Sequence, residues 1–149
     1  MTLFGYEILG VEVDKQAKVF GYLFHLAALV AGIYSFHLRD PWQISMALLY
    51  AASAVGVAFA GDMISLFLWW EGLAITSVFQ IWGRKTKEAE ESGFRYLFFH
   101  VSSGLLLLAG ILFRYHGEGD SALSLEPLTE ALEAGDPGSW FILLAIGIK

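Results

Sequence analysis

Glu71 is an acidic residue near the centre of an apolar segment, 63–82, that is long enough to span a lipid bilayer. A carboxylate in the middle of a membrane helix opposes insertion by roughly 2.5–3.5 kcal/mol, so it usually faces a bundle interior and has a function. Trp69 and Trp70 precede it and would limit hydration around the acid. The segment therefore predicts a proton-carrying carboxylate, with a purely structural ion pair as the alternative.

Lys149 is a second ionisable residue at membrane depth, at the end of the apolar run 140–149. Surroundings of low polarity favour the protonated form of an acid, whereas a nearby cation favours the carboxylate. A Glu71–Lys149 pair that opens and closes would move a proton, because separation destabilises both charges. We therefore expect these two residues to form a proton relay.

A row of polar residues lies on one face of a later apolar segment, where Tyr96, His100, Ser103 and Gly104 are spaced as i, i+4, i+7 and i+8. Histidine exchanges protons near neutral pH, so Tyr96, His100 and Ser103 are candidate relay residues. The alternative for His100 is a structural hydrogen bond to a buried carbonyl. For Ser103 we expect a hydrogen bond to its own helix.

The remaining histidines give no metal or catalytic site. Tyr22 and His25 are near the start of the first span and suit an interfacial role, whereas His37 and His116 are at span ends. The chain has no cysteine, which excludes disulfides and cysteine-held metal clusters. Haem held by two histidines is not favoured, and we expect no cofactor and no metal.

The composition is that of a membrane protein: 56% of residues are hydrophobic and only 16% are charged. We predict an all-α, polytopic transmembrane bundle. Four spans are expected at about 19–36, 44–60, 63–82 and 94–113, after an amphipathic or extramembrane segment 1–18 and before an acidic loop 114–139. The net charge of −6 argues against a nucleic-acid partner.

Several connections between these spans have distinctive sequences. Gly61 and Asp62 alone separate spans two and three, which predicts a tight hairpin, and small residues in span two allow close approach. The charged stretch 83–92 is expected to be a linker. The run 140–149 is too short to span, so we expect a fifth helix that continues in a longer protein, of which this chain is the N-terminal fragment.

Lysine and arginine are distributed unequally between the two sides. One side carries Arg39, Arg84, Lys85, Lys87 and Arg95, and the other carries Lys15, Lys18 and Arg114. This excess predicts that the linker after span three is cytoplasmic and that the acidic loop is outside. At the N-terminus, Tyr6, Ile8, Val11 and Val13 suggest a short strand or an interfacial segment.

The stretch GDMISLFLWWEGLAITSVFQIW resembles the fifth helix of the antiporter-like membrane subunits, in which an acid closes an F-x-x-W-E pattern. FRYLFFHVSSGLLLLAGI is similar to their sixth helix, and FILLAIGIK to the start of the seventh, which carries a lysine. These subunits belong to Mrp-type sodium/proton antiporters and to the respiratory complex I superfamily, and the D subunit of Mrp antiporters is the nearest likeness. The resemblance covers about residues 43–149 and implies that Glu71 and Lys149 are the family's acid and lysine.

The resemblance implies a proton-translocating subunit of a cation/proton antiporter in a bacterial inner membrane, with protons, sodium and other membrane subunits as partners and no catalysis of its own. The alternatives are a pumping subunit of an NADH:quinone oxidoreductase or related hydrogenase complex, and a structural scaffold. The roles of Arg95 and His25, the coupling ion and the driving force stay open.

Overall fold

The computed structural model describes residues 2–3, 6–7, 10–36, 40–125, 132–133 and 135–149. Within them lie five long helices: α1 (Lys15–Ser35), α2 (Pro41–Ala58), α3 (Met63–Trp82), α4 (Lys87–Glu118) and α5 (Pro137–Ile148). In this described part, α1 to α4 are long and apolar enough to cross a membrane, and α5 is a shorter apolar helix. The all-α class is confirmed, and the chain is an integral membrane protein.

The five helices begin in the same way. The side chain of the residue before each helix accepts a backbone hydrogen bond from the first turn, which is otherwise left with unpaired N–H groups. These capping residues are Asp14, Asp40, Asp62, Thr86 and Asp136. Four of the 15 acidic residues of the chain therefore mark helix starts, where the helix dipole favours negative charge.

Helix α4 is longer than its apolar run, 94–113, at both ends. Thr86 caps it by accepting a hydrogen bond from the Ala89 amide at 3.2 Å. The prediction of a linker through residue 92 is therefore wrong, because the charged residues from 87 onward form the first turns of α4. At the other end α4 reaches residue 118 and continues as a 3-10 helix, Gly119–Leu123, so this part of the predicted acidic loop is helical.

Helices α2 and α3 form an antiparallel hairpin, and their connection is residues 59–62 rather than Gly61 and Asp62 alone. A side chain at Gly56 of α2 would overlap the indole ring of Trp69, and one at Gly72 of α3 would come within 2.8 Å of the Ser53 hydroxyl. Small residues at these positions therefore allow the two helices to pack closely.

Helices α4 and α5 approach each other backbone to backbone. A side chain at Gly110 would come within 2.7 Å of the Gly138 carbonyl oxygen, and one at Gly138 within 2.8 Å of the Gly110 carbonyl oxygen. The apolar core of the molecule continues from this contact and consists of Met63, Leu107, Ile111, Ile142 and Ala145. This core joins α3, α4 and α5 into one packed unit.

At the N-terminus, Thr2–Leu3 (β1) pairs with Tyr6–Glu7 (β2) as a two-residue antiparallel strand pair. Val11 and Val13 are exposed and lie outside this pair, and the Glu12 amide donates to the Phe59 carbonyl at the end of α2. Other residues used in the sequence predictions lie outside the described residues: Ile8, His37 and Arg39, and part of the loop 114–139.

Candidate functional site

Glu71 lies in the middle of α3 and points at α4. Its Oε1 atom is buried and has no hydrogen-bond partner within the described part of the chain. A methyl group at Gly104 of α4 would overlap this carboxylate, so the glycine provides the space that the acid occupies. Sequence reasoning placed Gly104 on the polar face of α4 but gave no reason for a glycine there.

Lys149 reaches the residue that precedes Glu71, although the two positions are 79 residues apart in the chain. Its Nζ atom donates a hydrogen bond to the Trp70 carbonyl oxygen at 2.7 Å and lies 4.3 Å from the centroid of the Trp70 ring. A cation over an indole face is attracted by the ring quadrupole. Among the described ion pairs, none joins Glu71 to Lys149, so the lysine is held beside the acid by Trp70.

The two tryptophans before Glu71 therefore have different surroundings. Trp70 contacts Lys149, and its Nε1 atom is buried with no hydrogen-bond partner in the described residues. Trp69 packs against Gly56 of α2 and is 41% exposed. Only Trp70 is in a position to affect the lysine.

His100 is buried on α4, with 8% of its surface exposed. The rings of His100 and Tyr96 meet edge to face with centroids 3.9 Å apart. The Nδ1 atom of His100 is buried and has no hydrogen-bond partner among the residues described. Tyr96 in turn shares a hydrogen bond of 2.7 Å with the Ser77 hydroxyl of α3.

Sequence reasoning did not select Ser77. The signal that could have found it is the pair of hydroxyl residues at 76 and 77 in an otherwise apolar helix. Thr76 bonds to its own helix through the Gly72 carbonyl, but the Ser77 hydroxyl also meets another helix.

Ser103 is fully buried, and its hydroxyl donates to the Ala145 carbonyl oxygen of α5 at 2.8 Å. The expectation that it bonds to its own helix is wrong, because α5 packs so closely on α4 that an acceptor of the neighbouring helix lies within reach. The same carbonyl accepts the amide of Lys149. Ser103 therefore fixes the turn of α5 from which the lysine extends.

An ion pair joins the N-terminus of α5 to α4. Arg114 of α4 is buried, with 1% exposed, and its Nε atom lies 3.8 Å from Oδ2 of Asp136. Burial opposes the charged form of Asp136, but hydrogen bonds from Ser139 and Gly138 and the charge of Arg114 outweigh it and hold the pKa of Asp136 below its usual value. Sequence reasoning treated Arg114 only as a charge that sets orientation.

The other polar residues considered from sequence lie apart from this cluster. His25 and Tyr22 are exposed on α1, and the His25 Nδ1–H donates to the Gly21 carbonyl of its own helix at 2.7 Å. Arg95 and His116 are exposed on α4.

These features describe a polytopic helical membrane protein with an acid, a lysine and a histidine gathered at the contacts of three helices. Residues 60–148 match the model of the NADH:quinone oxidoreductase/Mrp antiporter transmembrane family. The chain belongs to this family, whose members are membrane subunits of multisubunit complexes. The match contains Glu71 and ends one residue before Lys149. No curated protein and no solved structure matched the chain.

Proposed function

We propose that this chain is part of a proton-translocating subunit of a multisubunit sodium/proton antiporter, resembling the D subunit of Mrp antiporters. The observation that carries the proposal is the position of Lys149, whose ammonium group is bonded to the Trp70 carbonyl immediately before Glu71. An acid and a lysine that are neighbours inside the membrane, with the lysine bonded to a third group, form a pair that can be opened and closed.

Each position of Lys149 favours one protonation state of Glu71. With Lys149 on Trp70, the Glu71 carboxyl group faces α4 without a hydrogen-bond partner in the described residues, which favours uptake of a proton. When the ammonium group moves to the carboxyl group, the positive charge favours the carboxylate and the proton is released. Trp70 therefore provides a second binding position for the ammonium group while it is away from the acid.

Sodium-triggered proton movement in inverted vesicles that carry the assembled complex tests this function. Glu71→Gln removes the titratable group but keeps the shape, so sodium-dependent proton movement should fall by at least about 100-fold. Glu91→Gln, at an exposed position of α4, is the matched control and should transport like the parent. Equal activity of the Glu71→Gln variant and the parent would make Glu71 structural.

A second candidate is a proton-pumping subunit of an NADH:quinone oxidoreductase, because the matching family model describes both kinds of protein. The same vesicles distinguish the two. Proton movement that needs NADH and quinone, and that ignores a sodium pulse, would support the oxidoreductase. Small antiporter genes beside this one would support the antiporter, whereas genes for iron–sulfur subunits would support the oxidoreductase.

A further inference from the structure

The hydrogen bond between Ser77 and Tyr96 is a polar contact that the Glu71–Lys149 relay does not use. It joins α3 to α4 with an oxygen–oxygen distance of 2.7 Å. Both residues lie between Glu71 and the 83–86 connection, the part of the chain with the basic residues Arg84 and Lys85. The contact is therefore on one side of the acid, toward one membrane surface.

This contact leads inward to Glu71 through His100. Tyr96 touches the His100 ring, and the buried Nδ1 of His100 has no hydrogen-bond partner within the described residues. The Glu71 carboxyl group lies against Gly104, which is one turn of α4 beyond His100. The titratable groups around His100 are thus Tyr96 on its own helix and Lys149 from α5, and the Glu71 carboxylate of α3 lies one turn further along α4.

The same contact leads outward to the surface. Gln80 follows Ser77 at i+3 on the same face of α3 and is half-buried, and Arg84, in the turn after α3, is exposed. The end of α3 is about 7.5 Å from Ser77 along the helix axis. An open groove of about 480 Å³ lies there, lined by Trp82, Lys85, Thr86, Lys87, Glu90 and Phe94.

We propose that Ser77 and Tyr96 form a proton access branch that connects the surface at the 83–86 connection, through His100, to Glu71. A hydroxyl group accepts a proton on a lone pair and releases its own, so it passes the proton without net chemical change. The branch rests on the proposed function of Glu71 as the proton-carrying acid. It adds Ser77 to the path and assigns the side from which Glu71 exchanges protons.

Removing one hydroxyl tests the branch in the assembled complex. Tyr96→Phe keeps the ring against His100, and Ser77→Ala removes only the partner oxygen. Each should slow transport by roughly tenfold when the medium on the 83–86 side is at about pH 8, because proton delivery becomes limiting. Acidifying that side to about pH 6 should restore most of the rate, whereas acidifying the opposite side should not.

The chain offers matched controls. Ser102→Ala removes a hydroxyl that bonds to its own helix through the Phe98 carbonyl, and Tyr22→Phe removes one from α1 that is 77% exposed. Both should transport like the parent. Since the sequence has no cysteine, labelling of Glu88→Cys with a membrane-impermeant thiol reagent identifies the side of the 83–86 connection. Equal membrane levels of all variants must be shown by quantitative blotting.

Three outcomes are distinguishable. Slow Tyr96→Phe and Ser77→Ala variants that are restored only by acid on the 83–86 side support the branch. Variants that are unaffected, or slowed equally at every pH, overturn the branch if Glu71→Gln still abolishes transport. If Glu71→Gln transports like the parent, the relay itself is wrong and the branch with it.

Discussion

Helix α1 and the unit formed by α3, α4 and α5 differ in what they bury. Along α1 the buried residues are small, Ala17 and Gly21, while large side chains such as Tyr22 and Leu26 are 77% and 59% exposed. The three-helix unit instead buries polar and charged side chains, among them His100, Ser103, Ser139 and Arg114. Both regions are apolar enough to enter a membrane, but only one has a polar interior.

This difference separates α1, whose surface suits lipid, from the three helices that must pack against one another. An apolar helix that exposes its large side chains is suited to lipid or to a neighbouring subunit. Buried polar groups require partners at defined positions and therefore fix the helices that carry them. Changes to the buried polar groups of the three-helix unit, or to the space around them, should thus affect transport or stability, whereas equivalent changes in α1 should not.

The largest contrast is expected between the two lysines Lys149 and Lys18. Lys149→Met removes the cation beside Glu71 and should lower sodium-dependent proton movement by at least about 100-fold. Lys18→Met, at an exposed position of α1, should leave it unchanged. Equal losses in both variants would contradict a relay confined to the three-helix unit.

A methyl group should have different effects at Gly104 and at Gly32. Gly104→Ala displaces the Glu71 carboxylate and should lower transport by about tenfold, because small displacements of reacting groups are costly. Gly32 of α1 has no atom within 4 Å of an added side chain, so Gly32→Ala should leave the transport rate unchanged. Transport rates normalised to membrane level measure the difference. Normal transport by Gly104→Ala would show that the carboxylate has room elsewhere.

Removal of a serine hydroxyl compares a contact between helices with one inside a helix. Ser103→Ala loses the bond to Ala145 and should lower the free energy of unfolding by about 1 kcal/mol. Ser35→Ala of α1 loses only a bond to the Gly32 carbonyl and should cost less. Thermal unfolding in detergent measures both variants. A lower stability of Ser35→Ala than of Ser103→Ala would contradict this prediction.

The smallest effect is expected at the capped end of α5. Because the pKa of Asp136 is lower in the folded chain, its charge stabilises the fold above the unfolded-state pKa. That stabilisation is lost as the pH falls through the folded-state pKa. Asp136→Asn keeps a capping side chain and should remove a few tenths to about 1 kcal/mol at neutral pH, and much less in strong acid. Thermal unfolding across pH measures the stability difference between Asp136→Asn and the parent. The same measurement on the cap variant Asp14→Asn is the control.

How far the sequence predicts the molecule depends on whether a feature is local. The apolar runs are local signals, and they indicated the membrane class. The aspartates before the helices are local signals as well, but their capping role was not predicted. The extent of α4 was missed, because a charged first turn resembles a linker when the Thr86 cap is overlooked. The burial of Arg114 depends on Asp136, which lies 22 positions further along and on another helix, so no local pattern predicts it.

The site was predictable only in its residue types. An isolated acid in an apolar run and a lysine in another indicated Glu71 and Lys149, and their roles stay predictions. The position of the lysine on Trp70 depends on how α5 packs against α4, which the spacing of residues does not give. Ser77 was missed for the same reason, since its partner Tyr96 is on the next helix.

The close contact of Gly110 with Gly138 is the point around which a tilt of α5 would turn the helix. The contact is at the first turn of the helix, and Lys149 is at the far end, about 16 Å along the axis. A tilt of α5 by about 10° around this contact would displace the lysine by about 3 Å, roughly the length of one hydrogen bond. Because Ala145 lies between this contact and Lys149, the tilt would have to break the hydrogen bond from the Ser103 hydroxyl to the Ala145 carbonyl before the ammonium group passes between two acceptors.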